Sequence, residues 1–173
     1  MKITPPLVQD LTEYYKTYVK YLQEDDLLVA LKNATDEMEN FLSLIPASKE
    51  TFRYAPNKWM LKEVIGHLCD TERIMTYRAL CIARSDQTPL PGFDEDAYVS
   101  NANFKNRTMQ SIGIEYLIVR EASLALFNAL DLTDFDKKGY ANNIPYTVKQ
   151  LLFFCIVHQR HHFNVISQRY LAQ

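Results

Sequence analysis

The segment Leu151-Leu-Phe-Phe-Cys-Ile-Val-His158-Gln-Arg-His161-His162-Phe163 constrains the fold most, because it opens with seven apolar or small residues in a row. A helix that is apolar all round is stable only when other elements surround it. The run then enters three of the chain's four histidines within five positions, the fourth being His67. His158 and His162 are four apart, which on a helix places both side chains on one face. Stepping onward by three and four gives Leu151, Cys155, His158, His162, Val165 and Arg169, so the pair continues an apolar stripe. Buried imidazoles without partners are costly, and two of them pointing into a core need a purpose. Neutral imidazoles at this spacing can both reach one divalent metal at about 2.0–2.1 Å. His161 lies about 60° from His158 and about 100° from His162 around the helix, and reads as a group behind the ligands or on the substrate side.

The remaining chain is punctuated by only four glycines and seven prolines, with long 3.6-period stretches between them, which predicts an all-α fold in a single domain over 1–173. Leu7, Leu11, Tyr14, Tyr18 and Tyr21 form one stripe and predict a helix over 7–22, within an N-terminal helical extension of residues 1–23. Its tyrosine face suits packing or a subunit contact. A second helix runs from a cap at Asp25 or Asp26 to about Ile45, and a third from about Trp59 to Arg84. On the latter, Met60, Val64, His67, Thr71, Ile74 and Arg78 share a stripe, which turns His67 inward and makes it the natural third ligand. Residues 85–107 form a long connection of the kind that lets neighbouring helices run parallel. A helix over Thr108–Leu130 and a loop then lead to Thr147-Val-Lys-Gln150, a capping box that starts the histidine helix.

A formal charge of −2 and a pI near 6.1 provide no electrostatic footprint for nucleic acid or an anionic membrane. Cys69, Cys81 and Cys155 are odd in number and contain no C-x-x-C, which suits a reducing cytosol. No apolar run approaches the roughly 18 residues of a spanning helix, and the expectation is a cytoplasmic protein.

Three stretches together resemble the DinB/YfiT-like superfamily over roughly Leu27 to Leu171. They are Trp59-Met-Leu-Lys-Glu63-Val-Ile-Gly-His67-Leu-Cys-Asp-Thr-Glu72-Arg73, Leu90-Pro-Gly-Phe-Asp-Glu-Asp96, and His158-x-x-x-His162-x-x-x-Ile166. The resemblance implies a four-helix bundle with up-down-down-up topology and a long link between its second and third helices. It implies a divalent metal (nickel or zinc first, iron or manganese next) held by His67, His158 and His162. It also implies homodimerisation. Where members often carry Ser or Thr at the N-cap, this chain has Met60.

A three-histidine site keeps at least one coordination position open, the pattern of a catalytic centre. Formally, His158-Gln159-Arg160-His161-His162 is H-E-x-x-H with Gln at the position of the metalloprotease base, so protease chemistry of that type is not expected. Hydrolysis would need a base elsewhere, and Asp70, Glu72 and His161 are the candidates. The superfamily resemblance points instead to transfer of a low-molecular-weight thiol, such as bacillithiol or mycothiol, to an electrophile, with Arg73, Arg78 and Arg84 available for a carboxylate on the thiol. Cys155 could add a fourth ligand or fill the core. The alternative is a non-catalytic bundle whose histidine cluster only stabilises packing. A di-metal carboxylate bundle is disfavoured, since neither helix carries E-x-x-H.

Overall fold

The computed structural model describes residues 1–172. Four long helices form the frame: α2 (Leu27–Leu44), α3 (Leu61–Ala83), α5 (Met109–Asn128) and α6 (Val148–Ile166). Two short ones, α1 (Glu13–Lys16) and α4 (Glu95–Asn101), lie outside it. Side chains cap the frame helices. Asp26 accepts from Leu28 N–H, Thr108 from Ser111 N–H, and Thr147 and Gln150 bond reciprocally at the start of α6. At α3 the missing N-cap hydroxyl leaves only the reach-back half, Met60 N–H to Glu63 Oε2 at 2.7 Å.

Both α2 and α3 pack against α5 and α6. Pairings along each interface fix the directions. Lys62 Nζ donates to the Lys105 and Arg107 carbonyls beside the start of α5, and further along Thr76 meets Ser123, so α3 and α5 run parallel. Ala34 meets Gln159 and Phe41 stacks on Phe163, so α2 and α6 are parallel as well. By contrast, the Leu31 carbonyl accepts from Arg120 while Leu42 lies on Gly113, which sets α2 against α5. The frame is therefore up-down-down-up, and the long connection after α3 is the crossover this order requires. α6 is surrounded as its sequence demands: Leu151 to Gln159 are all buried.

The core is divided. One apolar cluster centres on Leu27, Leu31, Met75, Ala79, Phe127, Leu152 and Ile156, and a second on Met38, Leu61, Ile65, Phe104, Ile112 and Ile166. Between them lies a buried polar layer containing Glu72, Tyr116, Arg120, His158 and Gln159. Arg120 is fully buried and donates side-on to Glu72, Nε to Oε1 and Nη2 to Oε2, both at 2.7 Å. Nη2 also reaches Gln159 Oε1 at 2.8 Å, Tyr116 O–H donates to the same oxygen at 2.7 Å, and Gln159 Nε2 donates to the Ala34 carbonyl at 2.7 Å. One network thus ties all four frame helices together.

Three segments depart from the sequence expectation. The helix expected over 7–22 is broken into a 3-10 turn at Val8–Asp10, α1, and a second 3-10 turn at Val19–Tyr21. Thr12 caps α1 by accepting from Tyr15 N–H, and Ile3 pairs with the start of α2 through its carbonyl to Leu27 N–H and its N–H to Asp26. The segment follows the bundle surface instead of a straight axis. The fold is not purely helical either: β1 (Lys138–Ala141) and β2 (Ile144–Thr147) form an antiparallel hairpin. Asn142 and Asn143, at φ 53° and 60°, make its left-handed two-residue turn. The crossover is partly ordered as α4, N-capped by Asp94 onto Ala97 N–H. Phe104 then lies against Gly66, where a Cβ would come within 2.6 Å of the ring, and this close approach brings the crossover beside His67.

Breaking a buried ion pair by deleting one partner strands a charge and costs about 3–5 kcal/mol. We expect Glu72→Ala to lower the unfolding free energy in urea by that amount, and Glu72→Leu/Arg120→Met to lose clearly less than the sum of its single changes. Additive losses would show that the two side chains do not act as a pair.

Candidate metal centre

His67 on α3 faces His158 and His162 on α6 across the groove between the two helices. The rings meet through their Nε2 atoms, 3.3 Å from His67 to His158 and 3.1 Å from His162 to His158. One ligand atom from each of the three lies within 4.8 Å of the others. Tetrahedral ligands at about 2.0–2.1 Å from an ion stand about 3.3–3.4 Å apart, close to the two separations made by His158.

The surroundings aim the rings. His158 stacks on Phe154 at 4.8 Å between centroids, His67 lies against Trp59 at 4.7 Å, and Thr71 Oγ1 is 3.4 Å from His67 Nδ1. A partner on Nδ1 leaves Nε2 to face the centre. Burial pushes the His67 pKa down to about 4, with the Asp96 carboxylate pulling weakly the other way. His158 and His162 are likewise held well below the usual range, by burial and then by their histidine neighbours. All three are therefore neutral at pH 7, the form that ligates. Three neutral nitrogens converging on one point repel unless protons or a cation lie between them, so the donor set fits a divalent ion of the imidazole-preferring kind.

These nitrogens open onto a cavity of about 560 Å³. Aromatic side chains from outside the frame line it, Tyr15 and Tyr18 from the N-terminal segment, Phe93 from the crossover and Tyr146 from β2, while Trp59 and Phe154 lie against the histidines and α3 adds Thr71, Met75 and Arg78. The tyrosine stripe is thus turned inward in part, with Tyr18 only 6% exposed and its ring 4.9 Å from His161. His161 lines the cavity with Nδ1 3.4 Å from Tyr21 Oη, beside the convergent nitrogens and not among them.

Two of the candidate bases lie elsewhere. Glu72 points into the core, where both of its oxygens accept from Arg120. Asp70 sits with Arg73, which also pairs with Glu115, and does not border the cavity. Cys155 is buried in the first apolar cluster, with its thiol pKa pushed up by burial, and stands outside the histidine cluster. Sequence reasoning missed Asp96, which borders both this cavity and a smaller one on the other side of His162. The available signal was the Asp94 N-cap, which begins a helix and so gives Asp96 a fixed direction.

An unfolded histidine titrates near 6.5, and the folded chain holds these three lower, so between pH 6.5 and about 4 the unfolded state binds more protons. Stability of the metal-free chain is therefore full above pH 6.5 and falls as pH falls, each histidine adding a slope approaching about 1.4 kcal/mol per pH unit. Urea midpoints measured from pH 7.5 to 5 should drop, and His67→Gln should remove about one proton from the slope. A slope untouched by that change would place the titration elsewhere.

The sequence profile of the DinB superfamily matches residues 30–166. Among solved structures the chain is similar to YfiT from Bacillus subtilis, with a TM-score of 0.75 and 16% identity over 99% of this chain and 93% of that one. YfiT is described as "a probable metal-dependent hydrolase with an unusual four-helix bundle topology". At that identity the likeness speaks for the fold. Comparison with curated protein sequences gives no match. The profile match spans the histidine helices and the crossover between them, and the chain belongs to the DinB superfamily.

Proposed function

We propose that His67, His158 and His162 hold one divalent metal ion, nickel or zinc before iron or manganese, and that the chain uses it to transfer a low-molecular-weight thiol to an electrophile. One observation carries this reading: the three convergent Nε2 atoms face an open cavity of about 560 Å³ instead of a sealed core. A packing-only cluster has no need of such an opening. The volume lies within the range of small-molecule sites.

A divalent ion in this position supplies the Lewis acidity that ionises a thiol or water near neutral pH. The chain's own contribution is positional. Neutral imidazoles would leave the ion's full charge for a further ligand, and Phe154 and Trp59 give the cavity an apolar wall beside the histidines. Glu72 and Asp70 are committed to arginines, so the reaction favoured is one that needs no protein base at those positions. Aromatic walls suit an apolar electrophile.

A second reading, metal-dependent hydrolysis, is favoured by Asp96. Its carboxylate borders the cavities on both sides of His162 and could accept a proton there. The description of YfiT points the same way for that protein.

Untagged protein purified without chelator should contain about one metal per chain by elemental mass spectrometry, and His67→Ala or His158→Ala should each lose it. Conjugation of cysteine, glutathione, bacillithiol or mycothiol to a chromogenic electrophile, abolished by His158→Ala, would establish thiol transfer. Ester or amide cleavage that needs no thiol and falls at least about 100-fold in Asp96→Asn would establish hydrolysis instead. Absence of metal even after reconstitution with nickel, zinc and manganese would end both readings.

A further inference from the structure

Arg78 is a buried cation that the fold does not neutralise. It lies on the α3 stripe that carries His67 and Thr71, is only 6% exposed, and lines the same cavity as the histidines. It is the only lysine or arginine among the described residues of that wall. Buried charges are ordinarily paired, and the other deeply buried arginine, Arg120, has its carboxylate. Arg78 makes no ion pair among the described residues. Nη2 donates to the Pro91 carbonyl at 2.7 Å, Nη1 lies 3.7 Å from Met75 Sδ, and the guanidinium sits over the Phe93 ring at 5.8 Å. A guanidinium has five N–H donors in a planar fork, and the rest have no acceptor among the described residues.

The neighbours complete a receptor. Tyr15 and Tyr146 pack at 5.5 Å between ring centroids, and both border the cavity close enough for Arg78 to act on their hydroxyls. Glu95 interacts with the guanidinium electrostatically from the same wall without forming an ion pair with it. The hydrogen bond to Pro91 holds the fork in place, so little freedom is lost when a ligand arrives.

We infer that Arg78 is the anion-binding end of the cavity, and that the substrate is a small molecule carrying a carboxylate remote from the atom held at the histidines. The inference deepens the proposed function and rests on it only for what occupies the other end. Arg78 is about three turns beyond His67, on the order of 16 Å along the helix axis, and its side chain leans back toward the histidines. Carboxylate and reacting atom are then separated by on the order of 10 Å, too far for one short group to bridge. An extended molecule with an apolar middle and an acidic end fits this cavity; a compact anion does not span it.

The test compares 4-phenylbutyrate with its neutral amide by ligand-observed NMR titration of the whole 173-residue chain, metal-loaded for wild type and the Arg78 variants and metal-free for His158→Ala beside metal-free wild type. Wild type should bind the carboxylate at least about tenfold more tightly, as a charge-assisted bidentate contact requires. Arg78→Met should abolish the preference and Arg78→Lys should restore part of it. This ratio between two ligands is insensitive to a general loss of stability, so a purely structural role in pinning Pro91 would not move it. His158→Ala should keep the preference. Equal binding of the two probes by wild type, or an unchanged preference in Arg78→Met, overturns the inference. A preference lost in His158→Ala but kept in Arg78→Met assigns the carboxylate to the metal, and overturns the inference while leaving the proposed function standing. A chain that takes up no metal yet retains the Arg78-dependent preference has the opposite meaning.

Discussion

The Arg120 guanidinium decides how the helices are rotated about their own axes. Apolar packing alone is tolerant of rotation, because neighbouring Leu, Ile and Met side chains can repack at small cost. A fully buried cation is not. It must meet Glu72 on α3, Gln159 on α6 and the Leu31 carbonyl on α2 simultaneously, from a fixed position on α5. Desolvating these groups offsets much of their mutual attraction, so the network contributes less to net stability than to choosing one arrangement among several. That choice matters because two members adjoin residues of the candidate site. Gln159 follows His158, and Glu72 follows Thr71, whose hydroxyl approaches His67 Nδ1. Successive helix residues point about 100° apart. With Gln159 and Glu72 fixed toward α5, His158 and His67 are turned into the α3–α6 groove.

The same geometry explains the glutamine between the histidines. Gln159 accepts from Arg120 and Tyr116 through Oε1 and donates through Nε2 to the Ala34 carbonyl. A glutamate there could not donate to Ala34, and would place a second negative charge beside Glu72 with one guanidinium between them. No base stands at this position, and the Gln159 side chain faces the core and not the cavity. Here a familiar spacing of residue types carries no catalytic base because the neighbouring helix claims the position first.

Much of the frame was readable from the chain because local signals agreed with the global requirement. The Thr147/Gln150 box, the cap expected at Asp25 or Asp26 and the apolar stripes each delimit a helix that the fold contains. The histidine cluster was readable for a similar reason, since one i, i+4 pair and one inward residue leave few ways to bury three imidazoles. Where the reading failed, a periodic pattern had a different cause. Tyr14, Tyr18 and Tyr21 recur at helical spacing, yet only α1 and a 3-10 turn form, because the segment bends over α6 to place rings on Phe154 and His161. Glu72 read as a candidate base and is instead half of a buried salt bridge, because nothing local distinguishes a charge that meets Arg120 in the core from one that faces a cavity. The hairpin carried a usable signal in Asn142-Asn143, masked by strands of four residues and by Pro145.

The division of labour between frame and additions bears on how the cavity of this chain can be reshaped without disturbing its histidine cluster. The three nitrogens come entirely from α3 and α6, whose rotation is locked by the buried network and cannot drift without unpairing a charge. Much of the cavity wall is built differently, although Thr71, Met75 and Arg78 stand on α3 itself and Phe154 on α6. Tyr15 and Tyr18 lie before residue 30, where the family profile begins, and Phe93 and Tyr146 sit on a crossover and a hairpin. Near the cavity these segments are attached to the rest of the chain through single hydrogen bonds such as Arg78 to Pro91 and Gln150 to the Asp10 carbonyl. Substitutions there alter shape and charge in the cavity at little risk to the frame, since no buried ion pair depends on them. Selectivity is therefore free to change where stability is least concentrated, while the atoms that would hold the metal stay fixed by a charge pair on the opposite side of the same two helices.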